Sequence, residues 1–336
     1  MSARFDQANS PGPPQEILCA IGIGPSPSSA LSLAALLARR SGARLSVLWA
    51  AEPLPVFELA RLARATGRDP ASLSALARAR AGADAEAAVA ATCGDLSPAI
   101  SVAFGKPFVE IVRAAIVGGH DLVVKSAEKL DSEARSFLAS TDQHLLRKCP
   151  APLLLHRDSS TEGGRPVLAA VDVEGEAAGE PATELSLNVA VLDQAVAAAA
   201  ALDAPLHVVS AWTIPGEGLV RLYGDAGANE LAAFADEVER EHGRNLGDLL
   251  DAARHRAAGA GFGHVPIAPH LVRGDPRAVI PRVARDLRVG LVVMGTVART
   301  GVHGFFIGNT AEDVLNQVET SILAVKPPGY VSPLAP

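Results

Sequence analysis

The chain repeats one structural plan twice. GKPFVEIVRAAIVGGHDLVVK (105–125) aligns with GDPRAVIPRVARDLRVGLVVM (274–294), and CPAPLLLHR (149–157) aligns with VETSILAVK (318–326). Both pairs have the same separation of 169 residues, and no gap falls between them. Such regular spacing indicates an internal duplication, so the 336 residues are expected to fold as two similar units.

Each unit alternates strands and helices in the order β-α-β-α-β-α-β-α-β. The strand segments, such as EILCAIGIG (16–24) and PVLAAVDVE (166–174), are apolar almost throughout, which is typical of parallel strands with helices on both faces. The sequence therefore predicts two tandem doubly wound α/β domains, each with a five-stranded parallel sheet. The polar segment HRDSSTEGGRP (156–166) is typical of a domain boundary. The predicted limits are a disordered N-terminal tail at 1–15, a first domain at 16–158 and a second domain at 165–330.

Composition narrows the classes of function. No apolar run reaches the roughly 18–20 residues of a membrane span, and the N-terminal MSARFDQANSPGPPQE lacks the apolar core of a secretory signal. Cys19, Cys93 and Cys149 lie far apart without a CxxC pair, which is typical of a reduced, cytoplasmic protein without structural zinc or disulfides. The net charge is −7 and no dense basic cluster occurs, so nucleic acid is not an expected partner.

The segment MGTVARTGVHGFFIGNTAED (294–313) carries the strongest functional signal. It connects a predicted strand to a predicted helix, and glycines stand at positions 295, 301, 304 and 308. Backbone N–H groups at a helix N-terminus attract anions, and these glycines are expected to let the backbone approach a phosphate and adopt a positive φ. Gly295, Gly308, Asn309 and Thr310 are therefore candidate phosphate-binding residues. A glycine-rich surface turn explains the same composition.

A second feature favours the phosphate interpretation. Asp172 ends the first strand of the second half, where ligands of doubly wound sheets bind, and a carboxylate there can accept from a ribose hydroxyl or an adenine amino group. At the equivalent places in the first half stand Gly22 and the glycine-free, acidic SAEKLDSEARSFLA (126–139). Because both features are absent from the first half together, they are expected to serve one ligand in the second half alone.

At these residues the chain resembles the universal stress protein family in its tandem-domain form, from about residue 16 to 333. The resemblance is strongest in GGHDLVVK (118–125), TDQHLLRKCPAP (141–152) and MGTVARTGVHGFFIGNTAEDVL (294–315). It implies a Rossmann-like fold of the adenine nucleotide α-hydrolase-like group and a cytoplasmic role in surviving stress. It also implies self-association, either as an intramolecular pseudo-dimer or as a homodimer.

The resemblance also implies a nucleotide site. Nucleotide-binding members of the family carry G-x2-G-x9-G-[ST], which here reads Gly295, Ala298, Gly308 and Asn309, so that the second and fourth positions depart from the pattern. The adenine-contacting aspartate of the family falls on Asp172, the contact from the second strand on Ala211, and the methionine before the loop on Met294. ATP or AMP, with Mg²⁺, is the implied ligand.

No set of residues predicts catalysis. The chain has no GK[ST], G-x-S-x-G, SGGxDS-like or HxGH-like string, and nothing supplies a general base for ATP hydrolysis, although a slow hydrolysis stays open. His264 and His270 are six residues apart on an extended segment, too far for a shared metal, so no metal site is predicted. Two functions follow: a non-enzymatic stress protein that binds ATP or AMP in its second half, or a tandem scaffold that binds proteins or an apolar ligand such as a lipid.

Overall fold

The computed structural model describes residues 12–23, 29–128, 140–158, 164–173, 182–214, 228–296 and 308–335. Residues 1–11 of the predicted tail lie outside the described residues. The first half contributes β1 (Glu16–Ile21), α1 (Ser29–Ser41), β2 (Arg44–Ala51), α2 (Val56–Thr66), α3 (Pro70–Thr92), β3 (Ala99–Phe104), α4 (Pro107–Val117), β4 (Leu122–Ser126), α5 (Ser140–Lys148) and β5 (Leu153–His156). The second half contributes β6 (Val167–Ala170), α6 (Ala182–Leu202), β7 (Leu206–Trp212), α7 (Ala228–Gly259), β8 (Ile267–Arg273), α8 (Pro276–Asp286), β9 (Leu291–Gly295), α9 (Asn309–Gln317) and β10 (Ser321–Val325).

The repeat seen in the sequence is present in the structure. The helices α4 and α8 have the same length and the same separation of 169 residues as the aligned segments, and so do α5 and α9. Local signals explain where α8 starts. It begins with Pro276, whose missing N–H costs nothing at this position, and Asp275 caps the helix by accepting from the Arg277 N–H. The predicted α/β fold with two Rossmann-like units is confirmed.

The ten strands of the described residues form one sheet in the order β3-β2-β1-β4-β5-β10-β9-β6-β7-β8. Within each half the neighbouring strands are parallel, and the halves meet where β5 pairs antiparallel with β10, Leu154 lying opposite Leu323. The two five-stranded sheets expected from the sequence are therefore continuous. The junction of the halves is a strand pair inside one chain.

Helices cover both faces of the sheet and bury the apolar strands. On one face, α1, α6 and α7 pack on residues such as Ile17, Val208 and Leu291; on the other, α4, α5, α8 and α9 pack on residues such as Leu18 and Val292. Successive residues of one strand thus face opposite cores, which explains why the strands read as continuous apolar runs.

Candidate functional site

The second half has its topological switch point between β6 and β9. The chain leaves β6 toward β7 on one side, while β9 adds on the other side, and Ala170 of β6 pairs with Met294 of β9. The loops that follow these two strands therefore start at the same sheet edge and diverge, leaving a crevice at which doubly wound folds bind ligands. Asp172 follows β6 and Gly295 ends β9, so the structure brings these two predicted residues to the same edge.

Asp172 is exposed, and its backbone is held by Asn188 of α6. The Asp172 N–H donates to Asn188 Oδ1 at 3.2 Å, and Asn188 Nδ2 donates to the Asp172 carbonyl at 2.5 Å. Asn245 of α7 donates to the carbonyl of the next residue, Val173, at 3.3 Å. Two asparagines from two helices thus fix the direction in which the chain leaves β6.

Sequence reasoning missed both asparagines. Asn188 stands in LSLNVAVL, where a single amide interrupts an apolar helical run, and that interruption is the available signal. Its partner could not be read from the sequence, because α6 returns to the end of β6 only in the folded chain.

A positive φ does not explain why the two described glycine positions of the predicted loop, 295 and 308, carry glycine. A Cβ on Gly295 would lie 2.7 Å from Leu187 Cδ2, so the missing side chain lets α6 pack closely on the end of β9. Gly308 has φ −61° and ψ 140°, a conformation open to any residue. The expectation that glycine supplies a positive φ at position 308 is therefore wrong. Ala298 lies outside the described residues.

The N-terminus of α9 has the properties of an anion site. Gly308 is the N-cap residue and has no side chain with which to cap the helix, while the exposed residues Asn309 and Thr310 form its first turn. The Gly308 N–H donates to the Thr296 carbonyl at 3.3 Å, so the amides that can face a ligand belong to Asn309 and Thr310. Uncapped amides and the positive end of the helix dipole stabilise a bound anion by about 0.3–2 kcal/mol.

Met294 and Ala211 form the floor of this sheet edge. Met294 is only 4% exposed, and it belongs to the apolar core between the sheet and helices α8 and α9. Ala211 of β7 is half-buried and packs against the same core. A ligand at the crevice would rest on this floor, but the described packing leaves little of Met294 to touch.

The first half carries opposite chemistry at the same place. Lys125 and Asp142 stand where the second half has Met294 and Ala311, and the Lys125 ammonium lies 2.9 Å from the Asp142 carboxylate. Asp142 is fully buried and also accepts from the Glu128 N–H at 2.9 Å. Burial raises the pKa of Asp142, while the ammonium opposes this shift.

A buried carboxylate paired with an ammonium thus stands near the start of α5, where the second half has the apolar Ala311. The absence of a phosphate site from the first half stays a prediction, and residues 129–139 of its acidic loop lie outside the described residues.

A buried lysine links the candidate site to the first half. Lys326, 9% exposed, donates to the hydroxyl of Thr296 at 2.7 Å and to the carbonyl of Leu146 in α5. Thr296 directly follows Gly295 and also receives the Gly308 N–H. Burial lowers the pKa of Lys326 to about 8. One ammonium thus joins the start of the glycine loop to the last turn of α5 across the β5–β10 junction.

Other site types are not found in the part of the chain that is described. No three His, Cys, Asp or Glu side chains gather there as a metal site. No described helix combines the length and the apolar character that crossing a membrane requires.

Comparison with known proteins identifies the class. Residues 14–157 and 166–326 each match the Universal stress protein family. The chain therefore belongs to the universal stress protein family and carries two of its domains in tandem, which confirms the resemblance drawn from the loop motifs. Membership of this family supports a role in the stress response.

Particular relatives are similar to the chain over most of its length. The chain is similar to Universal stress protein E of Escherichia coli (strain K12), with 33% identity over 231 residues that cover 68% of either chain. It is also similar to a solved structure from Pseudomonas aeruginosa PAO1, described as a functionally unknown protein, with 26% identity, a TM-score of 0.62 and coverage of 97% of this chain and 95% of the other. A universal stress protein from Archaeoglobus fulgidus shares the fold at 13% identity, with a TM-score of 0.55 over 94% of this chain and 97% of the other.

Proposed function

We propose that this protein is a cytoplasmic stress-response regulator or sensor that binds ATP or AMP in its second half. The observation that carries the proposal is the contrast between the two switch points. In the second half no described side chain caps the N-terminus of α9, and Asp172 follows β6 at the switch point, whereas in the first half the buried Asp142 lies near the start of α5. The difference has the sense expected if one half keeps an anionic ligand and the other has lost it.

Different residues would bind the phosphate end and the adenosine end of the nucleotide. The amides of Asn309 and Thr310 and the hydroxyl of Thr310 would hold phosphate oxygens, and Asp172, held in place by Asn188, would accept from the adenosine end. Ala211 and Met294 would lie beneath the base. Mg²⁺, which keeps several waters and binds through phosphates, would arrive with the nucleotide.

The protein would act through occupancy of this site without turnover. No described group is placed as a general base. Hydrogen bonds from Lys326 to Thr296 and to Leu146 connect the loop to the first half, so a bound nucleotide could affect the first half through them. The paired halves would serve as the intramolecular equivalent of a dimer.

Isothermal titration of the full chain with ATP and AMP, with and without Mg²⁺, tests the proposal. Thr310→Glu places a carboxylate at the phosphate position, which favours the helix but repels the ligand. We expect it, like Gly308→Glu, to abolish binding. Thr141→Glu is a matched control, because Thr141 holds the same position in the first half, and it should leave the affinity unchanged. Absence of heat at millimolar nucleotide with folded protein would reject the proposal.

A cavity favours a second candidate function, the binding of an apolar ligand such as a lipid. A cavity of about 220 Å³ lies under α1 and α6 at the β5–β10 junction, and its lining includes Leu33, Leu37, Ala197, Ala201, Leu154 and Leu323. Native mass spectrometry of freshly purified protein separates the two functions: a retained nucleotide supports the first, and a retained lipid supports the second.

A further inference from the structure

Two histidines meet on neighbouring strands of the second half, away from the switch-point crevice. Nδ1 of His207 in β7 lies 2.8 Å from Nε2 of His270 in β8, and both residues are half-buried. The ring centroids are 5.0 Å apart. The strand register pairs His270 with Val209, so the histidines are diagonal neighbours on one face of the sheet. Sequence reasoning compared His270 with His264 and missed this pair, because the register between β7 and β8 is set only by folding.

The first half provides an internal comparison. In the strand registers, Ser46 of β2 and Ser101 of β3 hold the positions of His207 and His270. The same backbone thus accepts two small hydroxyl side chains, and the sheet does not require imidazoles at these positions. Both positions differ between the halves together, as expected if the two histidines share one task.

We propose that His207 and His270 form a two-nitrogen chelating site for a divalent transition-metal ion, with Cu²⁺ and Ni²⁺ preferred over Zn²⁺. Bonds of about 2.0–2.1 Å from imidazole nitrogen to metal, at the 90° angle of square-planar or octahedral coordination, place the nitrogens about 2.9 Å apart. Tetrahedral Zn²⁺ needs about 3.4 Å by the same geometry. The observed 2.8 Å is the hydrogen-bond distance of the metal-free pair, and it lies nearer the separation that Cu²⁺ and Ni²⁺ favour than the one that Zn²⁺ needs.

Metal binding needs a lone pair on each of the two facing nitrogens. In the metal-free pair one facing nitrogen donates its N–H to the lone pair of the other. On binding, the donor ring carries its proton on its outer nitrogen instead, so both facing nitrogens offer lone pairs and no proton is lost.

The remaining coordination positions fall to water. No third histidine, cysteine or carboxylate joins the pair within the described residues. A metal ion held by two imidazoles and otherwise by water can exchange with solution. Such a site differs from a structural metal site, on which the folding of a protein depends.

Titration of the full chain with CuCl₂, NiCl₂ and ZnCl₂ in a non-coordinating buffer, combined with Cu²⁺ electron paramagnetic resonance, tests the inference. The variants are His207→Gln, His270→Gln and the double variant His207→Ser/His270→Ser, which copies the serines of the first half. His255→Gln, at an exposed position on α7, is the control. We expect one Cu²⁺ per chain with nitrogen splitting from two imidazoles, a loss of affinity of at least tenfold in each site variant and none in the control, and Zn²⁺ at least tenfold weaker than Cu²⁺.

Cu²⁺ affinity that survives in the double serine variant overturns the proposal, as does a spectrum without two coordinated imidazoles. Zn²⁺ binding as tightly as Cu²⁺ overturns the stated preference. If the double variant fails to fold by circular dichroism, His270→Gln alone decides, because it removes one ligand and retains a polar side chain at a half-buried position.

Discussion

Lys125 and Asp142 form a buried ion pair at the position where the second half of the chain places Met294 and Ala311. The Lys125 ammonium and the Asp142 carboxylate are 2.9 Å apart, and the carboxylate also accepts the Glu128 N–H. The same strand–helix contact is thus built from charges in one half and from apolar side chains in the other.

Removing one member of this pair should destabilise the protein more than removing both. Asp142→Ala removes the buried partner of the Lys125 ammonium, which is 12% exposed and keeps the Glu128 carboxylate at 3.0 Å, and we expect the free energy of unfolding to fall by about 1–3 kcal/mol. Lys125→Met/Asp142→Ala copies the pair of the second half and should recover most of that loss. Urea unfolding of the wild type and both variants measures the difference; a double variant as unstable as Asp142→Ala alone would contradict this account.

The buried Lys326 should make stability rise with pH in the alkaline range. Its pKa is lowered to about 8 in the folded protein, while the unfolded value is about 10.4. Between these values the unfolded chain binds more protons, so the free energy of unfolding increases with pH from about 8 and the contribution is lost as pH falls through 8.

Urea unfolding at pH 7.5 and 9.5 tests this expectation against Lys326→Met, which cannot titrate. The wild type should gain about 2 kcal/mol relative to the variant over this range. Equal changes in both proteins would show that Lys326 keeps an ordinary pKa.

The absence of a side chain at Gly295 should matter through α6. In Gly295→Ala the new methyl would meet Leu187 Cδ2 at 2.7 Å, and we expect a loss of about 1–3 kcal/mol from crowding. Leu187→Ala in the same chain removes the obstacle, so adding Gly295→Ala to Leu187→Ala should cost much less than adding it to the wild type. Thermal denaturation of the four proteins gives this coupling; additive costs would mean that Leu187 is not the cause.

Asn188 should act on nucleotide affinity through the position of Asp172. Asn188→Ala removes two hydrogen bonds to the backbone of Asp172, and we expect nucleotide to bind about fivefold more weakly, in line with the roughly 1 kcal/mol that one such bond contributes. Asn188→Asp keeps an acceptor for the Asp172 N–H and should lose less. Titration of folded variants with ATP decides, and unchanged affinity in Asn188→Ala would remove the asparagine from the site.

The sequence predicted those parts of the protein that depend on local pattern. The constant spacing predicted two similar units, the apolar strands predicted parallel pairing, and the order of elements placed Asp172 and Gly295 at one sheet edge. These features depend on residues that are close together in the sequence, so they can be recognised without knowledge of the folded structure.

Features that depend on contacts between distant segments could not be predicted. The pairing of Lys125 with Asp142, of Gly295 with Leu187 and of Asn188 with Asp172 joins residues whose proximity arises only when helices return to the sheet. The antiparallel contact of β5 with β10 has the same origin. At Gly308 the sequence led to a wrong prediction, because the glycine suggested a positive φ that the backbone does not adopt.

The strand pair that joins the halves has a consequence for how the two sites can differ. In an assembly of identical separate chains, any substitution appears in both subunits at once, and contact between them weakens on dilution. Here the contact is intramolecular and independent of protein concentration. One half can therefore replace ligand-binding residues with an internal ion pair while the residues of the other half change independently. The two halves stay in contact at every protein concentration.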